Sequence, residues 1–309
     1  MIKKTLQYGL FFLIVLFFGW NLYKNIGDVA EYHVLLHFLP YLFSTFLLVL
    51  VILALGVAWK WILADLGCKA VSTKEAVVIS VLSWFGRYVP GKVGMVTSKY
   101  VLGRKKNIST SLLIISSLYE NAFIVLSAFI VCLPGIVLFF PVKQLSENWE
   151  YFVFGTILFC LIGFVILLYF CQIINIMLRL FKKELLPDTL FLRPLIIAKY
   201  LLLYSFFNII NGLAFYVFIS SITEVNISTA IPLGIIYVFS AVVGLLVIIA
   251  PAGIGVKEGI MLILLSNYLP QDIALIVSVF SRLWSTLADL IVGVIGGVLA
   301  RIVRINNSD

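Results

Sequence analysis

The chain has 309 residues, of which 63% are hydrophobic and only 12% are charged, and its formal net charge is +8. Soluble domains carry about 25% charged residues, so this composition excludes a soluble globular protein and leaves no length for a separate soluble domain. The basic residues flank apolar segments instead of forming a basic face, which argues against a nucleic-acid partner. We therefore expect one all-α, multi-pass domain over residues 1–309, in the cytoplasmic (inner) membrane.

The first half of the chain is predicted to contain three crossing helices and one broken segment. Crossing about 30 Å of hydrocarbon takes about 20 apolar residues, and the apolar runs place such helices at about 5–23, 38–58 and 108–132. Residues 76–98 lie between basic clusters at 60–74 and 99–106, which should both be cytoplasmic. A single crossing would put one cluster on the wrong side, so we expect a re-entrant helical hairpin there.

The break within this first hairpin has the sequence RYVPGKVG. Pro90 lacks a backbone N–H and disfavours helix at the preceding residue, while Gly91 and Gly94 permit a tight turn. Irregular backbone at membrane depth is tolerated only where protein or a water-filled cavity surrounds it. Arg87 and Lys92 therefore flank a turn that we expect to lie inside the protein.

The second half repeats the same order of elements. Its crossing helices are predicted at about 151–171, 196–220 and 272–300. Its hairpin is VVGLLVIIAPAGIGVKEGIMLILL, which is broken at Pro251, Gly253 and Gly255. This hairpin lies between two segments poor in lysine and arginine, so we expect it to enter from the side opposite to the first.

The two halves therefore form a predicted inverted repeat of residues 1–135 and 148–305. Three crossings in each half make six in total and place both chain termini in the cytoplasm. The two breaks share a proline, then glycines, then a lysine, in PGKVG and PAGIGVK. Inverted repeats with broken helices are typical of secondary transporters, whose binding site lies near the bilayer midplane.

Ionisable residues occur inside the predicted helices that follow the hairpins. Glu120 lies near the middle of the helix after the first hairpin, and Arg282 and Asp289 lie in the helix after the second. A charge at the bilayer centre costs about 2.5–3.5 kcal/mol on insertion scales, so such groups normally face the protein interior and form pairs. The helix face that carries Arg282 and Asp289 also carries Ser278 and Ser285, which makes it a polar seam.

Two roles are open for these charged side chains. As structural ion pairs, Glu120 would neutralise Arg87, and Glu258 would neutralise Arg282. As functional groups, the same carboxylates and Asp289 would orient cations or carry a coupled proton.

The half-helices that begin after Pro90 and Pro251 also suit an anion. A helix N-terminus carries unsatisfied N–H groups and about half a positive charge, and glycines let an anion approach closely. Lys92 and Lys257 would add charge, so two such N-termini that converge from opposite sides would make a phosphate site. The alternative is that the glycines only let the hairpins pack tightly.

These motifs resemble those of the lysylphosphatidylglycerol synthase transmembrane-region family, which also includes the membrane portion of AglD-like glycosyltransferases. The resemblance rests on RYVPGKVG followed by a helix with Glu120, and on PAGIGVKEG followed by a helix with Arg282. It implies lipid handling, because in bifunctional bacterial members this membrane region is understood to flip an aminoacylated phospholipid that a separate soluble domain makes. No synthase or glycosyltransferase domain occurs in these 309 residues, so the resemblance does not extend to the synthetic activity.

The predicted function is that of a transporter or flippase for an anionic lipid, either a phospholipid or a polyprenyl-phosphate-linked substrate. Its phosphate would bind between the two hairpin tips. No metal, cofactor or catalytic residue is predicted, and a separate lipid-modifying enzyme is the expected protein partner. The predicted substrate-binding residues are Arg87, Pro90, Gly91, Lys92, Gly94, Glu120, Pro251, Gly253, Gly255, Lys257, Glu258, Arg282 and Asp289.

Two alternatives fit parts of the sequence. A membrane-embedded transferase on a lipid-linked substrate would use Glu120 or Glu258 as its general base. The sequence shows no nucleotide loop, Ser–His pair or metal-binding carboxylate pair that would support such an enzyme. An ion-coupled transporter of a small soluble anion would use the same inverted repeat.

Overall fold

The computed structural model describes residues 37–68, 70–88, 93–139, 149–180, 190–247, 253 and 255–303. These residues form α-helices and short 3₁₀ helices, and no strand occurs among them. The all-α class is therefore confirmed. The predicted first helix at 5–23 lies outside the described residues, as do Pro90, Gly91, Lys92 and Pro251.

Ten α-helices follow one another in the described part of the chain. Their bounds are Phe38–Asp65 (α1), Thr73–Trp84 (α2), Val93–Arg104 (α3), Thr110–Phe139 (α4), Trp149–Leu168 (α5), Phe170–Leu180 (α6), Pro194–Ser220 (α7), Ala230–Leu246 (α8), Val256–Leu265 (α9) and Gln271–Val303 (α10). Two 3₁₀ helices, Phe85–Tyr88 and Ile227–Thr229, follow α2 and precede α8.

Five segments among the described residues are long and apolar enough to cross a membrane. They are Phe38–Asp65, Thr110–Gly135, Pro194–Ser220, Ile227–Leu246 and Gln271–Val303. Four of the five correspond to predicted crossing helices, namely α1, α4, α7 and α10. The predicted helix at 151–171 is represented by α5, whose axis bends by 65° into α6, and counting this bent pair as one span gives six.

Each predicted hairpin has one helix before its break and one after it. Helices α2 and α3 flank the first break, and α8 and α9 flank the second. Helix α8 begins at Ala230, well before Val242, where the predicted second hairpin starts. The apolar run continues backwards without interruption, and Pro232 is tolerated in the first helical turn, where an N–H has no intrahelical partner. The re-entrant path and the inverted repeat stay predictions.

A capping box sets the start of α2. The Ser72 N–H donates to Oε2 of Glu75 at 2.9 Å, and the Glu75 N–H donates to Oγ of Ser72 at 3.3 Å. The Ser-x-x-Glu spacing satisfies backbone donors that would otherwise lack a partner, so the helix begins at Thr73. Lys106, just after α3, places its Nζ 3.0 Å from Oε1 of Glu75.

The chain divides into two compact units. One, here called the tip unit, contains the 3₁₀ helix Phe85–Tyr88, the start of α3, and helices α8 and α9, among the described residues of 37–51, 85–95 and 209–293. The other, here called the arm unit, contains most of α2 to α7, within residues 52–84, 96–208 and 294–303.

Each unit has its own aromatic core. In the tip unit, Trp284 stacks on Phe218 with ring centroids 4.6 Å apart, and Tyr237 meets Trp284 edge to face at 5.7 Å. In the arm unit, Phe123 stacks on Tyr200 with ring centroids 5.3 Å apart. Such pairs favour packing beyond the burial of apolar area alone.

Candidate functional site

Both hairpin breaks bring two glycine backbones into contact. A Cβ at Gly86 would lie 2.3 Å from the carbonyl carbon of Gly94, and one at Gly253 would lie 2.8 Å from the carbonyl carbon of Gly244. Gly253 and Gly255 also have positive φ angles, 68° and 82°, which side chains disfavour. Close backbone packing therefore explains a glycine at Gly94 and Gly253, and a positive φ explains one at Gly255, while Gly91 lies outside the described residues.

Gly255 immediately precedes α9. The N-terminus of this helix is partly occupied by a carboxylate of the helix itself. The Gly255 N–H donates to Oε2 of Glu258 at 2.6 Å. Glycine has no side chain to accept a bond in return, so the arrangement is half of a capping box. The first N–H groups within α9 still have no partner in the helix.

A largely buried cluster of charged side chains lies near the start of α9 in the tip unit, and its two arginine side chains are 22% and 20% exposed. Arg87, in the 3₁₀ helix before the first break, pairs with Asp289 of α10. Nη1 of Arg282 lies 3.7 Å from Oε1 of Glu258, which confirms that predicted pair. The 3.7 Å separation is beyond hydrogen-bonding distance, so this second pair is a looser contact.

Lys257 is the third cation of the cluster. It is 8% exposed, and its Nζ lies 4.0 Å from the centre of the Tyr237 ring, which is a cation–π contact. No carboxylate of the described residues forms an ion pair with it. Lys257 is nevertheless within electrostatic range of the other four charged members of the cluster, which are Arg87, Glu258, Arg282 and Asp289. Among the described residues, the cluster thus contains three cations and two carboxylates.

Helix α10 presents the predicted polar seam to the protein interior. Ser278 is fully buried and Asp289 is 1% exposed. The hydroxyls of Ser278 and Ser285 donate to carbonyls of their own helix, at 2.7 Å and 3.0 Å. Of the four seam residues, Arg282 and Asp289 are therefore the two that contact other members of the cluster.

A glycine on α10 allows the close approach that the Arg87 pair needs. Gly293 lies one helical turn after Asp289, and a Cβ there would lie only 2.5 Å from Cζ of Phe85. Phe85 and Arg87 belong to the same short 3₁₀ helix. Because Gly293 packs against the Phe85 ring, the helical turn that carries Asp289 lies next to the Arg87 guanidinium.

Glu120 has a different partner from the one predicted. It lies in the arm unit and pairs with Lys99, so the predicted pair with Arg87 is wrong. Charge counting assigned Lys99 to a cytoplasmic cluster, whereas its side chain is 3% exposed and that of Glu120 is 7% exposed. Charge counting could not show this burial, because it does not register which face of a helix a lysine occupies.

Two neighbours complete the surroundings of this buried pair. Lys99 Nζ lies 4.4 Å from the centre of the Trp59 ring, and Trp59 Nε1 donates to Oγ of Ser116 at 3.2 Å. Neither Lys99 nor Trp59 was among the predicted site residues. Lys99 lies five residues before the end of α3, and Trp59 lies six residues before the end of α1. No signal in the sequence indicates that these two distant positions meet, because neither apolar length nor charge counting reports contacts between helices.

The remaining predicted residues divide into described and undescribed positions. The structure gathers Arg87, Gly94, Gly253, Gly255, Lys257, Glu258, Arg282 and Asp289 in the tip unit, and it places Glu120 in the arm unit. Pro90, Gly91, Lys92 and Pro251 lie outside the described residues. Within the described ranges, no group of three or more His, Cys, Asp or Glu side chains is arranged to hold a metal ion.

Comparisons with known proteins give one match. No curated protein matches the chain, and no solved structure matches it. A family model, described as the lysylphosphatidylglycerol synthase TM region, matches residues 5–293. The match covers nearly the entire chain and agrees with the resemblance of the two hairpin motifs. This is a multi-pass membrane protein that belongs to the lysylphosphatidylglycerol synthase transmembrane-region family.

Proposed function

We propose that this protein moves an anionic lipid from one leaflet of the cytoplasmic membrane to the other, without converting it chemically. One observation carries the proposal: among the described residues, the buried cluster of the tip unit has one more cation than it has carboxylates. An uncompensated charge in a region of low dielectric is unfavourable. A phosphate headgroup would supply the missing negative charge.

Each member of the cluster has a role in this proposal. Lys257 is the principal ligand, because no described carboxylate neutralises it. Arg87 and Arg282 add guanidinium groups that suit phosphate oxygens, and Asp289 and Glu258 orient them. The N–H groups at the start of α9 add partial positive charge.

The first hairpin tip would contribute the remaining ligand. Lys92 follows Pro90 in the sequence as Lys257 follows Pro251. In the proposed cycle, rocking of the two predicted repeats would expose the headgroup site to each side of the membrane in turn. Protonation of a cluster carboxylate is the proposed means of coupling.

Family membership favours a lipid over a small soluble anion, since the family suggests lipid handling. The substrate is proposed to be a phospholipid or a polyprenyl-phosphate-linked compound. The hydrocarbon chains of this lipid would stay in the bilayer while its headgroup crosses through the protein. A separate lipid-modifying enzyme is the proposed supplier of the substrate.

Retention of lipid by the purified protein tests the site. Native mass spectrometry would compare wild type with Lys92→Ala, Lys257→Met and Arg282→Ala, each added to excess phosphatidylglycerol. Loss of a charge-assisted hydrogen bond should weaken retention at least about tenfold. The matched control is Lys105→Met, which removes an equal charge from an exposed position and should retain lipid as wild type does.

Movement of lipid tests the activity itself. Wild type in proteoliposomes should transfer fluorescent phosphatidylglycerol between leaflets, and Lys257→Met should not. Undiminished transfer by both Lys257→Met and Arg282→Ala would contradict the proposal. Chemical conversion of a labelled lipid-linked donor by the purified wild type would replace it with the transferase alternative.

A further inference from the structure

Most buried serine and threonine hydroxyls in the described helices bond to their own backbone. They donate to a carbonyl three or four residues earlier, which satisfies the hydroxyl without any other partner. This group consists of Ser44, Thr45, Ser116, Ser117, Ser127, Ser221, Ser278, Ser281 and Ser285. A buried serine that departs from this pattern therefore needs a separate explanation.

Ser83 of α2 and Ser240 of α8 are such exceptions, and Ser240 is the one that lies in the tip unit. It is fully buried, and its Oγ has no hydrogen-bond partner among the described residues. A buried hydroxyl without a partner is unfavourable, and such groups are uncommon in folded proteins. Its position in the second hairpin suggests what the partner is.

The helix face that carries Ser240 is the face on which Lys257 packs. Tyr237, Ser240 and Gly244 are spaced by three and four residues, so they lie on one side of α8. At one end of this face, Lys257 Nζ lies over the Tyr237 ring. At the other end, a Cβ on Gly244 would lie 3.2 Å from Cβ of Lys257. Ser240 is therefore on the stretch of α8 that the lysine side chain follows.

A second buried donor without a partner belongs to a ring that contacts Tyr237. Trp284 is fully buried, its Nε1 has no hydrogen-bond partner among the described residues, and its ring meets Tyr237 at 5.7 Å. Glu258 accepts from the Gly255 N–H through Oε2, while its Oε1 lies 3.7 Å from Arg282 and has no hydrogen-bond partner among the described residues. Two neutral donors of the tip unit, Ser240 and Trp284, thus lack a partner, against one such carboxylate oxygen.

From this arrangement we infer that Ser240 is a headgroup ligand. Its hydroxyl donates a hydrogen bond to a phosphate oxygen of the lipid whose charge Lys257 neutralises. A phosphate group fits because its several oxygens accept bonds from a cation and a neutral donor together. The inference rests on the proposed function and adds to it a residue that no charge or motif singled out.

Lipid affinity and protein stability, measured on the same variant, test this inference. Phosphatidylglycerol would be titrated onto delipidated protein, with Ser240→Ala compared with wild type and with Ser44→Ala. Ser44 is a matched control, since it is equally buried in the tip unit but donates to the Tyr41 carbonyl. Ser240→Ala should bind about tenfold more weakly, and Ser44→Ala should bind as wild type does.

The stability of the lipid-free protein separates a ligand from a structural residue. Ser240→Ala removes a hydroxyl that has no partner, so the melting temperature of the delipidated variant should equal or exceed that of wild type. A lowered melting temperature together with weaker binding would make Ser240 a structural residue and overturn the inference. Ser240→Thr, which keeps the hydroxyl, should restore part of the affinity.

The remaining outcomes distinguish this inference from the function on which it rests. If Lys257→Met loses phosphatidylglycerol and Ser240→Ala holds it as tightly as wild type, the inference alone fails. If the wild type holds no phosphatidylglycerol, the proposed function fails as well. Displacement of bound lipid by inorganic phosphate at equal concentration would make free phosphate the ligand and overturn the lipid assignment, whereas resistance to it supports a headgroup.

Discussion

The tip unit and the arm unit each bury a lysine and a glutamate, but they satisfy them differently. In the arm unit, Lys99 and Glu120 pair directly, and the ring of Trp59 covers the ammonium. In the tip unit, Lys257 and Glu258 are neighbours in sequence, yet the carboxylate faces Arg282 and the lysine pairs with no described carboxylate. The first arrangement is a neutral pair, whereas the second has one more cation than it has carboxylates among the described residues.

This difference indicates which buried charges belong to a binding site. A charge inside a membrane protein is tolerated when its partner is fixed, and it then stabilises one arrangement of helices. Where cations exceed carboxylates and neutral donors also lack acceptors, the protein is complementary to an anion. We therefore expect the arm-unit pair to act in folding and the tip-unit cluster to act in binding.

The largest expected effect comes from breaking the arm-unit pair. Glu120→Ala would leave Lys99 buried without its carboxylate, so the free energy of unfolding should fall by about 3–5 kcal/mol. Unfolding of the purified protein in detergent would measure this loss. The double variant Lys99→Met/Glu120→Leu removes both charges and should recover most of the stability.

An unchanged melting temperature in Glu120→Ala would contradict the division between the two units. A second result would also contradict it. If the double variant recovers its stability but loses lipid transfer completely, Glu120 acts in transport. That second result would support the predicted assignment of Glu120 to the substrate site.

A smaller effect is expected from closing the glycine contact of the second hairpin. Gly253→Ala would place a side chain at a φ of 68° and against the Gly244 backbone, so it should lower the free energy of unfolding by about 2 kcal/mol. It should also weaken lipid binding, because Lys257 follows this turn. Melting temperature and phosphatidylglycerol titration would measure the two effects.

The matched control for this glycine lies six residues later. Gly259 is inside α9, and a Cβ there would meet nothing within 4 Å. Gly259→Ala should therefore leave lipid binding unchanged and stabilise the helix by up to about 1 kcal/mol. Equal behaviour of the two variants would show that the close contact at Gly253 has no part in shaping the site.

The smallest effect is expected at the start of α2, outside the spans. Burial acts to raise the pKa of Glu75, but the Ser72 N–H, the Lys106 ammonium and the Ser72 hydroxyl outweigh it, so this pKa lies below its ordinary value. A carboxyl with a lowered folded-state pKa stabilises the protein above the unfolded pKa of about 4.3, and the stabilisation is lost as pH falls through the folded value.

The expected contribution of Glu75 is less than about 1 kcal/mol, since its pair with Lys106 is partly exposed. Glu75→Gln should lower the melting temperature slightly at pH 6 and should not lower it at pH 3. Lipid binding at pH 6 should be the same in both proteins. A large loss of lipid binding in this variant would show that the arm unit takes part in the site.

Much of the helical organisation could be predicted from the sequence. The length of the apolar runs predicted α1, α4, α7 and α10. Crossing about 30 Å of hydrocarbon takes about 20 apolar residues, and few other segments are that long. The helix ends on either side of both predicted breaks were also predictable, since proline removes a backbone donor and glycine tolerates positive φ, as at Gly253 and Gly255. These features depend on residues close together in the chain.

The partners of the charged side chains could be predicted only in part. The pair of Glu258 with Arg282 was expected, but Arg87 pairs with Asp289 across most of the chain. Such a contact depends on helix packing, which apolar length and charge counting do not determine. For the same reason, the burial of Lys99 against Glu120 was not foreseen.

The glycine contacts restrict how the gene for this protein can change. At Gly86 and Gly253, any side chain would have to push the facing backbone away, because its Cβ would lie closer than van der Waals contact allows. A neighbouring change cannot relieve this strain, because the atoms in the way belong to the backbone of Gly94 and Gly244. If the two halves arose by duplication, the glycines beside each break would be among the last residues to diverge, after the surrounding helices had lost their common sequence.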